Sequence, residues 1–125
     1  MTKSILIVED EKEQAQALKE FFEALAYSVT VVEDGFDAIS EVLAGDYDLI
    51  TMDLKMSELS GLEATELIRM KHDIATPVIV ISGYLSDREE SELRDLDVEH
   101  FMHKPFDLEE LRRVVESAVG DAQRP

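Results

Sequence analysis

Short apolar runs alternate along this chain with longer stretches in which apolar residues recur every three or four positions. Ser4-Ile5-Leu6-Ile7-Val8 and Val78-Ile79-Val80-Ile81 carry almost no polar alternation, the pattern of strands buried on both faces. Val29-Thr30-Val31-Val32, Leu49-Ile50-Thr51-Met52 and Val98-Glu99-His100-Phe101-Met102 are read as their companions. Between the runs, Ala15, Leu18, Phe22 and Leu25 fall at helical spacing, with Glu13, Lys19 and Glu23 on other faces. Ile39, Val42 and Leu43 predict a second helix, and Leu62, Leu67 and Ile68 a third. The last helix carries Leu108, Leu111, Val115 and Ala118, with Asp107 placed to cap it and Gly120 to stop it. The fourth, over 86–96, is mostly charged and has only Leu85, Leu93 and Leu96 to bury, so it is expected to be weakly anchored.

Strand and helix alternate five times, which predicts an α/β fold with a parallel sheet covered by helices on both faces. At 125 residues there is room for a single core. Residues 1–120 are expected to form that domain, and 121–125 a tail or the start of a linker.

No apolar run approaches the roughly 20 residues of a membrane span. The first one stops at Glu9-Asp10-Glu11, too early for a signal-peptide core, so a cytoplasmic protein without membrane contact is expected. With no cysteine there is no thiol chemistry and no disulfide. Acidic residues outnumber basic ones 29 to 12, a formal charge of −17 that opposes binding to nucleic acid. Basic residues cluster no further than Arg112-Arg113, so direct nucleic-acid binding is not expected. Solubility accounts for much of this acidity; convergence of some carboxylates on a cation is the sharper possibility.

Open parallel sheets bind ligands beyond the carboxyl ends of their strands. The first predicted strand ends at Glu9-Asp10, the third at Asp53, the fourth at Ser82, and the fifth just before Lys104. Singly, each has a plain structural explanation, as a helix cap or a turn residue. Together they bring three carboxylates, a hydroxyl and an ammonium to one rim. Two like charges at ~4 Å repel by about 4 kcal/mol at an effective dielectric of ~20, so such carboxylates bind protons or hold a cation. An all-oxygen set completed by water and phosphate suits Mg²⁺.

The segments Ile-Val-Glu-Asp-Glu at 7–11, Met-Asp-Leu-Lys-Met at 52–56 with Gly61, Ile-Ser-Gly at 81–83 and Lys-Pro-Phe at 104–106 together resemble the receiver domains of two-component response regulators. The resemblance covers nearly the whole chain, in order. It implies a flavodoxin-like, doubly wound sheet in strand order 2-1-3-4-5 with five helices, the order that a member of this family illustrates among doubly wound folds. It further implies Mg²⁺ held by Asp10, by Glu9 through water, by Asp53 and by the backbone carbonyl of Lys55. Asp53 would be the phosphoacceptor, Ser82 the switch hydroxyl, Lys104 the paired lysine and Phe101 the aromatic switch. Lys55 and Tyr84 stand where the family tunes phosphoryl lifetime, and the Lys104–Pro105 bond is expected to be cis. A histidine kinase or phosphotransfer protein would be the donor. The readout face would be the fourth helix, fifth strand and fifth helix, which is also a possible homodimer surface; the output partner is not specified. Catalysis would extend only to the domain's own phosphorylation and dephosphorylation.

Four positions depart from the family pattern: Ser57 replaces a common proline, Asp97-Val98 replaces a frequent Gly-Ala, and Phe101 lacks a hydroxyl. Other classes fit less well. A phosphohydrolase of the haloacid-dehalogenase type generally needs a second Asp where Lys55 stands, and a flavin-binding relative needs a phosphate cradle where Glu9-Asp10-Glu11 stands. A docking module that is never phosphorylated is the remaining alternative. His72, His100 and His103 lack partners at metal-ligand spacing and are expected at surface or edge positions.

Overall fold

The computed structural model describes residues 2–120 and 122–123. Five strands, β1 (Ser4–Val8), β2 (Ser28–Val32), β3 (Leu49–Met52), β4 (Val78–Ser82) and β5 (His100–His103), form one sheet in the order β2-β1-β3-β4-β5. Every neighbouring pair is parallel. The helices are α1 (Lys12–Ala24), α2 (Gly35–Ala44), α3 (Gly61–Glu66), α4 (Asp87–Asp95) and α5 (Leu108–Val119).

Because side chains alternate across a strand, each apolar run supplies two cores at once. Leu6, Val8, Ile50, Met52, Val78 and Val80 pack with Ala38, Val42, Ala64, Ile68 and Leu93, which places α2, α3 and α4 on one face. Ile5, Ile7, Leu49, Ile79 and Ile81 pack with Leu18, Phe22, Leu111 and Val115 from α1 and α5 on the other. This is the doubly wound arrangement that the alternation and the resemblance implied.

Several local expectations need correction. Leu43 and Leu108 lie on their helices but are exposed; α2 is buried through Ala38 and Val42, and Leu43 sits about 100° round from Val42. The fifth strand begins at His100, not Val98. Val98 donates its amide to the Leu93 carbonyl at 3.0 Å and so belongs to the end of α4. The third helix continues past Glu66 as a π-helical turn, Leu67–Lys71, which the apolar spacing did not reveal. The His72 amide closes that turn on the Leu67 carbonyl at 3.1 Å, and the Arg69 side chain ties it to its surroundings, donating to the carbonyls of Leu96 at 2.7 Å and Ile74 at 2.9 Å. In α4 only Leu93 is buried, in keeping with its sparse apolar stripe, and a capping box of Ser86 and Glu89 starts it.

The end of α5 is tied to the start of the chain. The Lys3 ammonium donates to the Val119 carbonyl, and the Tyr27 hydroxyl donates to the Gly120 carbonyl at 2.9 Å. The Lys3 amide donates to the Ala122 carbonyl at 2.7 Å, and Ala122 is buried. Of the expected tail, Asp121, Arg124 and Pro125 lie outside the described residues.

Candidate functional site

The sheet ladders run one step past the strands and fix the residues that follow them. The Glu9 amide donates to the Val32 carbonyl at 3.1 Å, the Asp53 amide to the Val8 carbonyl at 3.0 Å, and the Lys104 amide to the Ser82 carbonyl at 2.9 Å. Glu9, Asp53 and Lys104 therefore start from rigid backbone on one edge of the sheet. Gly61, the first residue of α3, closes against this edge: a Cβ built there would stand 2.2 Å from the Asp53 carbonyl oxygen. Only glycine lets α3 approach the Asp53 loop so closely.

Glu9, Asp10 and Asp53 each bring a carboxylate oxygen to within 4.8 Å of the others. Glu9 and Asp53 are buried and Asp10 is partly exposed. The Lys104 ammonium lies 2.8 Å from Glu9 Oε1 and 3.6 Å from Asp53 Oδ1. Burial pushes the Glu9 carboxyl above its ordinary range, with Asp53 adding to the effect and Lys104 opposing it. For Lys104, burial alone would pull the ammonium down, but Glu9 and Asp53 more than offset it and the net shift is upward. In formal charges, three carboxylates against one ammonium leave two negative charges, which one divalent cation would balance. The donors are all oxygens, which fits a hard ion such as Mg²⁺.

The plain structural role of Glu9 is present as well. Its Oε2 accepts from the Glu11 amide at 3.2 Å, just where α1 begins without a side-chain cap of its own.

Ser82, buried at the end of β4, turns its hydroxyl into the following loop, donating to the Tyr84 carbonyl at 2.8 Å. The Tyr84 ring is exposed. Lys55 is exposed too; its amide donates to Asp53 Oδ1 at 3.3 Å, while its ammonium lies 3.4 Å from Glu89 Oε2 on α4. Phe101 is half-buried on β5, with the Arg94 guanidinium 4.8 Å from its ring centre. The Lys104–Pro105 bond is cis. His103 is exposed and His72 and His100 are half-buried, and none of the three joins the carboxylate cluster.

Sequence reasoning missed Glu89, the partner of Lys55. The available signal was the Ser-x-x-Glu pattern at 86–89, which marks a capping box and so a carboxylate held at a helix start.

Fold and site together define a class: a doubly wound α/β domain with an acidic, lysine-bridged pocket at the carboxyl edge of its sheet. Comparison with known proteins gives that class a family. The family described as the response regulator receiver domain matches residues 5–116. The polar-differentiation response regulator DivK of Brucella ovis is 29% identical over 98% of this chain and 100% of its own length. The uncharacterized transcriptional regulatory protein YkoG of Bacillus subtilis is 35% identical over 92% of this chain and 50% of its own length. Among solved structures, the response regulator TrrA of Thermotoga maritima, in complex with Mg²⁺ and BeF, superposes with a TM-score of 0.80 at 31% identity, covering 93% of this chain and 98% of that one. The chain belongs to the response regulator receiver domain family.

Receiver domains are phosphorylation-dependent switches of two-component signalling rather than enzymes with an external substrate, and they work with a kinase or phosphotransfer partner. Among the described residues, no helix is long and apolar enough to cross a membrane.

Proposed function

We propose that this chain accepts a phosphoryl group on Asp53 from the phosphohistidine of a histidine kinase or phosphotransfer protein. The observation that carries the reading is the Lys104 ammonium set between the buried carboxylates of Glu9 and Asp53, with Asp10 in the same cluster. An Asp53 carboxylate oxygen attacks phosphorus, the P–N bond breaks, and the histidine nitrogen leaves with the bonding pair. Asp10, Asp53, the Lys55 carbonyl and Glu9 through water are the groups that would hold Mg²⁺. When bound, the ion supplies neutralisation of charge on the phosphoryl oxygens.

The residues of the chain do the rest. Lys104 exchanges part of its contact with the carboxylates for a phosphoryl oxygen. The Ser82 hydroxyl trades its bond to the Tyr84 carbonyl for another phosphoryl oxygen. That movement draws the β4–α4 loop toward Asp53, and Phe101 turns inward to fill the space behind it. The altered surface of α4, β5 and α5 is then what an effector, or a second copy of the chain, reads. Tyr84, and Lys55 when its ammonium leaves Glu89, flank the approach of water to the acyl phosphate and set its lifetime.

The test is direct. The protein is incubated with a small phosphodonor with and without Mg²⁺, and the adduct is mapped by mass spectrometry. We expect one Mg²⁺-dependent phosphoryl group on Asp53 and none in Asp53→Ala. Equal labelling after chelation, or retained labelling in Asp53→Ala, would remove the assignment and leave the docking-module alternative.

A further inference from the structure

Lys55 stands two residues beyond Asp53, yet its side chain leaves the acidic pocket. The ammonium lies 3.4 Å from Oε2 of Glu89, in the first turn of α4 and 34 positions away in the chain. That carboxylate is already held in place. Its Oε1 accepts from the Ser86 amide at 3.1 Å and from the Ser86 hydroxyl at 3.0 Å, and the Ser86 hydroxyl accepts from the Glu89 amide at 3.1 Å. With Oε1 committed to this capping box, Oε2 is the oxygen presented to the β3–α3 loop. Lys55 also donates its own amide to Asp53 Oδ1 at 3.3 Å. One residue thus touches the pocket through its backbone and α4 through its side chain.

We propose that Glu89 is a positioning residue that holds the Lys55 ammonium on α4, away from Asp53, and so limits how much of that charge reaches a phosphoryl group there. The inference rests on Asp53 being the phosphoacceptor. A phosphorylated side chain carries about −1.5 to −2 charges, more than the single charge of Glu89, so the two anions compete for one ammonium. The Lys55 side chain is 59% exposed and that of Glu89 21%. An ion pair so open to solvent is worth only about a 1.5- to 5-fold factor in an equilibrium constant. The competition is therefore close, and the state of Asp53 is felt at the cap of α4.

The charge can be removed without removing the cap, because glutamine also serves as the last residue of a capping box. Wild type, Glu89→Gln, Lys55→Ala and the double variant are phosphorylated with a small phosphodonor at saturating Mg²⁺, and loss of the Asp53 phosphate is followed by mass spectrometry. Glu89→Gln is expected to lengthen the half-life by about 1.5- to 5-fold, since the released ammonium pairs with a phosphoryl oxygen. Lys55→Ala is expected to shorten it. In the Lys55→Ala background, Glu89→Gln is expected to change nothing. A structural effect of Glu89 on α4 would persist in that background, so a persistent effect overturns the proposal, as does an unchanged or shorter half-life in Glu89→Gln alone. If wild type takes up no phosphoryl group at all, the phosphoacceptor assignment itself has failed and takes this inference with it.

Discussion

A methyl group at position 61 would have to occupy space held by the backbone of Asp53 and Leu54, with atoms at 2.2 and 2.9 Å. At position 83, by contrast, nothing lies within 4 Å of an added Cβ. The two glycines belong to neighbouring motifs of the same site, but only the first is sterically required. Gly61→Ala is expected to lower stability by about 1–3 kcal/mol, the usual cost of overpacking, and to slow phosphoryl uptake because the backbone of Asp53 must shift. Gly83→Ala is expected to stay within ~0.5 kcal/mol of wild type. Thermal melts and uptake rates of the two variants check this; equal behaviour would show that α3 can retreat from the loop at no cost. Both glycines were visible in the sequence. Which of them was crowded was not, because the crowding comes from Asp53, eight positions away along the chain.

Helix ends carry the same lesson at the level of elements. Both α1 and α4 finish in a left-handed residue that is not glycine, Ala26 at φ 73° and Asp97 at φ 63°. The hydrogen bonds match: Ala26 to Glu23 and Tyr27 to Phe22 after α1, Asp97 to Arg94 and Val98 to Leu93 after α4. Asp97 occupies a position where the family frequently has glycine, and the left-handed turn is the physical reason for that preference. Aspartate adopts this backbone more readily than alanine does. Ala26→Gly is therefore expected to stabilise the fold by about 0.5–1 kcal/mol, the relief of strain exceeding the extra chain entropy of glycine. Chemical denaturation should show a higher midpoint at constant m-value; a lower midpoint would mean that the Ala26 methyl group makes contacts worth more than the strain. The π-helical turn after α3 had no comparable signal. Its Arg69 side chain reaches the carbonyls of Leu96 and Ile74, and a spacing rule contains no such partner.

Across the whole molecule, a formal charge of −17 opposes the compact state, and a local share of the repulsion lies where Glu9, Asp10 and Asp53 meet, partly offset by Lys104. Salt should relieve the diffuse part and Mg²⁺ the local part. At equal ionic strength, MgCl₂ is expected to raise the melting temperature more than NaCl, by the equivalent of about 2.7 kcal/mol at a hundred times the dissociation constant. Asp10→Asn is expected to melt higher than wild type in the absence of divalent ions, because one of the converging charges is gone, and to lose most of the Mg²⁺-specific increment. A calorimetric titration in which Asp10→Asn binds Mg²⁺ as tightly as wild type would take Asp10 out of the ligand set.

The alternation of apolar runs and amphipathic stretches was enough to specify five strands, five helices and a parallel sheet, since strand and helix periods are local properties. The carboxyl ends of those strands then named Glu9, Asp10, Asp53, Ser82 and Lys104, because in a parallel sheet every such end lies on the same edge. Tertiary structure alone decided which partners these and other side chains take. Lys104 lies between Glu9 and Asp53, Ser82 bonds to the Tyr84 carbonyl, and Lys55 pairs with Glu89. It also decided that Leu43 and Leu108 face outward, that β5 starts at His100, and that Ala122 packs back against the sheet. Periodicity describes one element at a time. With 29 acidic residues and 12 basic ones, a lysine has many possible carboxylates, and only the packing of α4 beside the Asp53 loop selects Glu89 for Lys55.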